Sequence, residues 1–139
     1  MKVQVKKVSE VQRLRFRISK QKELIDYYEQ MSHTLGGSDY SRERVDCTRN
    51  LEAPYVRWIF KRIEAEEKLK EMESALAVKV DELATLIDQL ENVDYKKILT
   101  YRYVLDTDWY DMPSVLNYSS STIYRFHRLA LLELKKLDS

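Results

Sequence analysis

Six side chains near the C-terminus have the types and spacing to meet a nucleic acid: Ser120, Ser121, Thr122, Tyr124, Arg125 and Arg128. Serine, threonine and tyrosine hydroxyls bond to phosphate oxygens or base edges, and a guanidinium reads guanine through two parallel hydrogen bonds. A helix starting at Ser120 turns these residues outward while Ile123 and Phe126 face in. The N-terminus of such a helix itself favours phosphate. Residues 119–136 carry four Lys/Arg against one Glu, a local charge of +3.

No comparable grouping suggests catalysis. His33 and His127 lie far apart, and Ser119 to Ser121 have no neighbouring base. Carboxylates such as Glu64, Glu67 and Glu71 repeat at one-turn spacing, as on a solvated helix face. No Glu-x-x-His pair is available for a carboxylate-bridged metal site. The single cysteine, Cys47, excludes an internal disulfide framework and a cysteine-based zinc site. The only two glycines, Gly36 and Gly37, are adjacent, so neither common phosphate-cradling glycine loop can be built. The expectation is a non-enzyme with no cofactor and no metal.

The elements that must position the six residues are helices. Two Gly and two Pro in 139 residues are too few for the turns of a sandwich, a barrel or an α/β fold. Near the C-terminus three helices are expected: about 95–105, then 108 or 111 to 116, then 120–137. Asp108 or Asp111 would cap the second and Ser119 the third. Asn117 is suited to a left-handed backbone and makes the tight turn between the last two. Met112, Val115, Leu116, Tyr118, Ile123 and Phe126 would pack them together. Pro113 is tolerated only in a first turn, so the second helix would be short.

Upstream, Val11, Leu14, Ile18, Ile25 and Tyr28 form a helical stripe over about 8–31, with Ser9 as its cap. Gly36-Gly37 is expected to end that helix, leaving a loop over 34–53 that holds Arg42, Arg44 and Arg49. A second helix would start at Pro54, a first-turn proline, and run to about Asn92. Leu69, Leu76, Leu83 and Leu90 recur every seven residues, with Met72, Val80 and Ile87 between them, a coiled-coil seam. At 1.5 Å per residue this helix reaches about 58 Å, of which the first helix can cover only about 39 Å, so the remainder calls for a partner: the C-terminal module, a second chain, or both. The expected fold is all-α: a helical hairpin and oligomerisation region over 1–92, then a helix-turn-helix domain over 93–139.

Charge is segregated. Residues 1–22 sum to +7 and residues 64–94 to −7, while the whole chain is +1. A hairpin would lay these segments side by side. Alternatively Lys2, Lys6, Lys7, Arg13, Arg15 and Arg17 would form a free arm for phosphates. Lys97 and Arg102 are in reach of phosphates by type, but are expected to be plain surface residues. No apolar run reaches membrane-spanning length and no signal-peptide pattern is present, so a soluble, cytoplasmic protein away from membranes is expected.

Residues 108–134 resemble region 4 of sigma-70 factors. Trp109, Met112, Leu116, Asn117, Tyr118, Ser119, Ile123, Ala130, Leu131 and Leu134 fall in register on its pattern, with Asn117 where glycine is usual. Leu116-Asn117-Tyr118-Ser119, Tyr124-Arg125, His127 and the earlier Leu99, Arg102 and Tyr103 look most like phage and prophage transcriptional regulators of the ArpU type. The close match covers about 90–137. The resemblance implies that helix 120–137 reads the major groove of double-stranded DNA. It also implies a late-gene activator type of regulator, with RNA polymerase as a possible second partner. The long helix 54–92 would join two or more copies, or dock the protein on RNA polymerase. Two rival readings are a small terminase-like DNA-packaging subunit and a polymerase-binding mimic of region 4 that never touches DNA.

Overall fold

A computed structural model describes residues 4–39 and 54–138, and over these the protein is all-α. The helices are α1 (Lys6–Asp39), α2 (Pro54–Asp88), α3 (Val93–Leu99), α4 (Met112–Leu116) and α5 (Ser120–Asp138), with a π-helical turn at Thr100–Val104. The chain packs as two compact units. Residues 16–74 form one, and residues 1–15 with 75–139 form the other.

In the first unit α1 and α2 run antiparallel along a heptad seam. Ile18, Gln21 and Ser32 are buried from α1 and Ala65 from α2, with Ile25, Tyr28, Trp58 and Leu69 half-buried between them. Gln21 sits where an apolar residue would, and its side-chain amide donates to the Ala65 carbonyl at 2.9 Å. That bond satisfies a buried polar group and ties the register of the two helices. Tyr27, Tyr28 and Trp58 stack with centroids within 6 Å of one another.

The second unit has two adjoining cores. One gathers Val5, Val8 and Val11 with Leu83, Leu86 and Ile87 of the α2 end, Leu90 just beyond it, and Ala130, Leu131 and Leu134 of α5. The other is Ile98, Met112 and Ile123, covered by Trp109, Leu116, Tyr118 and Phe126. Ile98 and Leu99 are consecutive yet both fully buried, because α3 lies between the two cores and serves each with a different face. Asn92 begins α3, its side chain accepting from the backbone of Asp94 and Tyr95.

Several expectations are corrected. α1 does not end at the glycine pair: it continues through Gly36 and Gly37 to Asp39. Glycine weakens a helix by roughly 1 kcal/mol relative to alanine, which is a bias and not a stop. Residues 34–39 of the expected loop are therefore helical, and the remainder, with Arg42, Arg44 and Arg49, lies outside the described residues. Ser9 is not a cap. The helix starts at Lys6 and the Ser9 amide already donates to the Val5 carbonyl at 3.0 Å, because burial of Val5 and Val8 draws the start of the helix back. α2 does begin at Pro54 but ends at Asp88, short of Asn92. The helix expected over 95–105 is α3 plus the π turn. Asp111 precedes α4 without a side-chain cap, and Val115 is 47% exposed instead of packed.

Asn117 does adopt the left-handed conformation, φ 62° and ψ 36°, and Pro113 falls in the first turn of α4. Left-handed backbone disfavours residues with a Cβ by about 1–2 kcal/mol, asparagine least among them. Asn117→Ala is therefore expected to lower stability by about 1 kcal/mol, and Asn117→Gly by much less. Urea denaturation of the three proteins measures the difference; equal midpoints for alanine and glycine would refute the assignment.

Candidate nucleic-acid interface

α5 is amphipathic for a readable reason. Ile123, Ala130, Leu131 and Leu134 are buried on one face, with Phe126 and His127 half-buried beside them. The helix begins with Ser119, whose hydroxyl accepts from the Thr122 amide at 3.3 Å, as expected of its cap. Of the six candidate residues, Ser120, Ser121, Tyr124, Arg125 and Arg128 are exposed on the opposite face. Thr122 differs: it is half-buried and its hydroxyl accepts from that of Ser119 at 2.8 Å, which ties it to the cap. Ser121, Arg125 and Arg128 follow the i, i+4, i+7 spacing of one helix stripe. Arg125 lies against the Phe126 ring, 5.2 Å from its centroid. Neither Arg125 nor Arg128 makes an ion pair among the described residues.

Tyr124 is 57% exposed, and its inner edge packs on Trp109, with centroids 5.4 Å apart. Trp109 in turn meets His127 edge-on at 4.7 Å. His127 Nε2 and the Tyr103 hydroxyl share a hydrogen bond of 2.6 Å. Burial pushes His127 down to about 4, with the nearby Arg102 charge acting in the same direction. Burial also raises Tyr103, against the opposing pull of Arg102. At neutral pH the pair is uncharged, which suits a contact enclosed by aromatic rings. Tyr118 is anchored through its hydroxyl to the Asp94 carboxylate, and that bond raises its pKa.

Arg102 is not a plain surface residue. It is half-buried, lies 5.0 Å over the Trp109 ring, donates to the Thr107 carbonyl at 3.0 Å and approaches Asp106 at 3.8 Å. The basic N-terminal segment is divided in its roles. Lys7 pairs with Glu82 at 3.8 Å, and the reverse pair Glu10–Lys79 is 3.3 Å. These are contacts between the basic segment and the acidic helix. Lys6, Arg13 and Arg17 are exposed, and Lys2 lies outside the described residues.

Arg15 is the residue that sequence reasoning misplaced most. Its guanidinium donates to the Tyr103 carbonyl and, at 3.1 Å, to the Val104 carbonyl. These carbonyls end the π turn, whose Leu105 amide reaches back to Thr100 at 2.9 Å, so a cation there satisfies orphan acceptors at the negative end of a helix. Burial lowers the Arg15 pKa, Asp106 opposes that and Arg102 adds to it. Nothing in the local pattern around residue 15 signals a partner 88 positions away.

Among the described residues no group of three or more His, Cys, Asp or Glu side chains is placed to hold a metal ion, and no helix is long and apolar enough to cross a membrane. A family model described as a protein of unknown function, DUF1492, matches residues 39–135. The chain belongs to the DUF1492 family. The match takes in α2 through most of α5, and hence every one of the six candidate residues. No curated protein and no solved structure matches the chain.

Proposed function

We propose that this DUF1492 protein is a sequence-specific double-stranded DNA-binding regulator of transcription, of the phage or prophage type, with α4 and α5 as its helix-turn-helix. The observation that carries the reading is the two-sided character of α5. Its inner face is fully committed to the core, while Ser120, Ser121, Tyr124, Arg125 and Arg128 stand together on the outer face. The left-handed turn at Asn117 and the in-register likeness to sigma region 4 support it. In this reading residues 93–139 meet DNA and the 1–92 region joins copies, so that two modules address two half-sites about one helical turn apart.

A random duplex library enriched on the protein supplies the target, and fluorescence anisotropy at physiological salt then measures affinity. Arg125→Ala with Arg128→Ala is expected to weaken the selected duplex by about 5- to 150-fold per arginine, since a bidentate base contact is worth about 1–3 kcal/mol. Failure to enrich any sequence, or unchanged affinity in the double variant, would overturn the reading. Binding to polymerase without DNA would favour the mimic instead.

A further inference from the structure

We infer that Arg15 and Arg102 form a phosphate-binding cleft that extends the DNA surface of α5 along the first turns of α1. The DNA part of this inference rests on the function proposed above; the phosphate part does not.

The cleft has a volume of about 200 Å³ and is lined by Gln12, Arg15, Arg102, Tyr103 and Asp106. Its charge is not balanced. Two guanidiniums share one carboxylate, Asp106, each at 3.8 Å. A charge-assisted pair closes to about 2.7–2.9 Å, so neither arginine is fully engaged by it. Asp106 is itself 61% exposed and therefore easily displaced toward water. The Arg102 Nε is enclosed by protein and has no hydrogen-bond partner among the described residues. Meanwhile both guanidiniums are fixed. Arg15 is held by the Tyr103 and Val104 carbonyls, and Arg102 by the Thr107 carbonyl and by stacking on Trp109. Two immobilised, partly desolvated guanidiniums with one loosely held counter-charge are an anion receptor, and their planar donor forks fit phosphate oxygens.

The position of the cleft says which phosphate. A larger groove, about 600 Å³, opens beside it and is bordered by Ser9, Gln12, Tyr103, Tyr124 and Arg128. Gln12 and Tyr103 line both, so the two hollows are neighbours. At one end stand Tyr124 and Arg128, on the outer face of α5. At the other stand Arg15 and Arg102. Ser9, Gln12 and Arg15 follow each other at three-residue steps along α1, a rise of about 9 Å from Ser9 to Arg15. That equals the axial rise of two to three nucleotides of one strand at about 3.4 Å each. Val5, Val8 and Leu131 give the larger groove an apolar floor, while its polar members Ser9, Gln12, Tyr124 and Arg128, with Arg15 and Arg102 of the cleft, are the hydroxyl, amide and guanidinium groups that proteins use on a sugar-phosphate backbone. A backbone strand leaving the α5 surface is the favoured occupant over free phosphate.

The test uses the full chain with inorganic phosphate and with the selected duplex. Arginine side-chain Nε–Hε resonances are followed by NMR during a phosphate titration. Those of Arg15 and Arg102 are expected to shift and saturate together, with other arginines unmoved. Asp106→Asn removes the competing carboxylate and should tighten phosphate several-fold. Asparagine is well accepted at the left-handed backbone of residue 106, φ 55°, so this variant retains the fold. A gain of affinity is also something a damaged protein does not produce. With the duplex, Asp106→Asn should bind more tightly. Arg102→Gln should flatten the dependence of log affinity on log salt by about 0.9, the value of one lost phosphate contact on B-DNA.

Resonances of Arg15 and Arg102 that ignore phosphate, or phosphate affinity unchanged in Asp106→Asn, overturn the cleft even if Arg125 and Arg128 prove essential for DNA. Phosphate binding at the cleft with no duplex binding leaves the cleft standing and removes the transcription reading. Phosphate binding with an unchanged salt slope in Arg102→Gln assigns the cleft to free phosphate and overturns the backbone path.

Discussion

Leu134→Ala is expected to destabilise the protein by about 2–5 kcal/mol, the range for truncating a fully buried leucine. Leu134 is 0% exposed and packs in the core where α5 meets Val5, Val8 and Val11 at the start of α1 and just before it, and the end of α2. Truncation removes apolar surface from the junction of three elements, and rigid helices on every side limit collapse into the space left. For a unit of this size the loss translates into a fall in melting temperature of at least about 10 °C. Leu132 provides the internal control. It is two residues away in the same leucine-rich run but 41% exposed, and Leu132→Ala should change stability by less than about 0.5 kcal/mol. Thermal and urea unfolding of the two variants measure the contrast. Equal effects would mean that α5 is rotated about its axis from the position described, and would remove the basis for assigning Arg125 and Arg128 to the outer face.

The second large effect is on pH. His127 titrates near 6.5 when unfolded and about 4 when folded, so between those values the unfolded chain binds the extra proton. Stability is therefore full above about pH 7 and falls as pH drops from 6.5 toward 4. The slope approaches 1.4 kcal/mol per pH unit, which gives a loss of about 2 kcal/mol by pH 5. The cause is first the burial of the ring, which Tyr103 and Trp109 flank, and then the Arg102 charge. Chemical denaturation at pH 7.5, 6 and 5 reads the slope. His127→Gln should lose most of the dependence in that window while keeping a polar contact to Tyr103. A wild-type protein equally stable at pH 7.5 and pH 5 would show that the ring is solvated, and that Tyr103 and Trp109 do not enclose it. Acidic exposure should also loosen the Tyr124 side of the α5 surface, because Trp109 contacts both rings.

Much of the architecture can be read from residue order, and the reason is periodicity. The heptad Leu69, Leu76, Leu83, Leu90 lies on α2 and its immediate continuation, and all four face inward. Pro54 marks the start of α2, as its missing amide proton and fixed φ require. Ser119, Asn117 and Pro113 each occupy the position their own backbone chemistry prefers. The outer face of α5 follows from the inner one, since Ile123, Ala130 and Leu134 leave only one direction for Tyr124, Arg125 and Arg128. These are local rules, in which each residue carries its own information.

What local rules could not deliver depends on contacts between distant segments. Burial of Val5, Val8 and Val11 beside Ala130 and Leu134, more than a hundred residues away, places the start of α1 ahead of Ser9. Helix propensity at Gly36 and Gly37 is a modest bias that the rest of α1 outweighs. Among the five leucines of one tail, Leu131 and Leu134 are core, Leu129 is half-buried and Leu132 and Leu137 are exposed, and only the packing of α5 distinguishes them. Charge was the least legible property of all. Two of the eight basic residues in the +7 segment have fates that composition cannot assign: Lys7 turns to Glu82, and Arg15 reaches the end of the π turn, where Arg102 and Asp106 meet it. Composition and periodicity establish an all-helical protein with a polar, partly cationic face on its last helix. Where an individual charge points is settled by which carbonyls and rings the fold leaves unpaired, because electrostatic partners are chosen by distance in space and not by spacing along the chain.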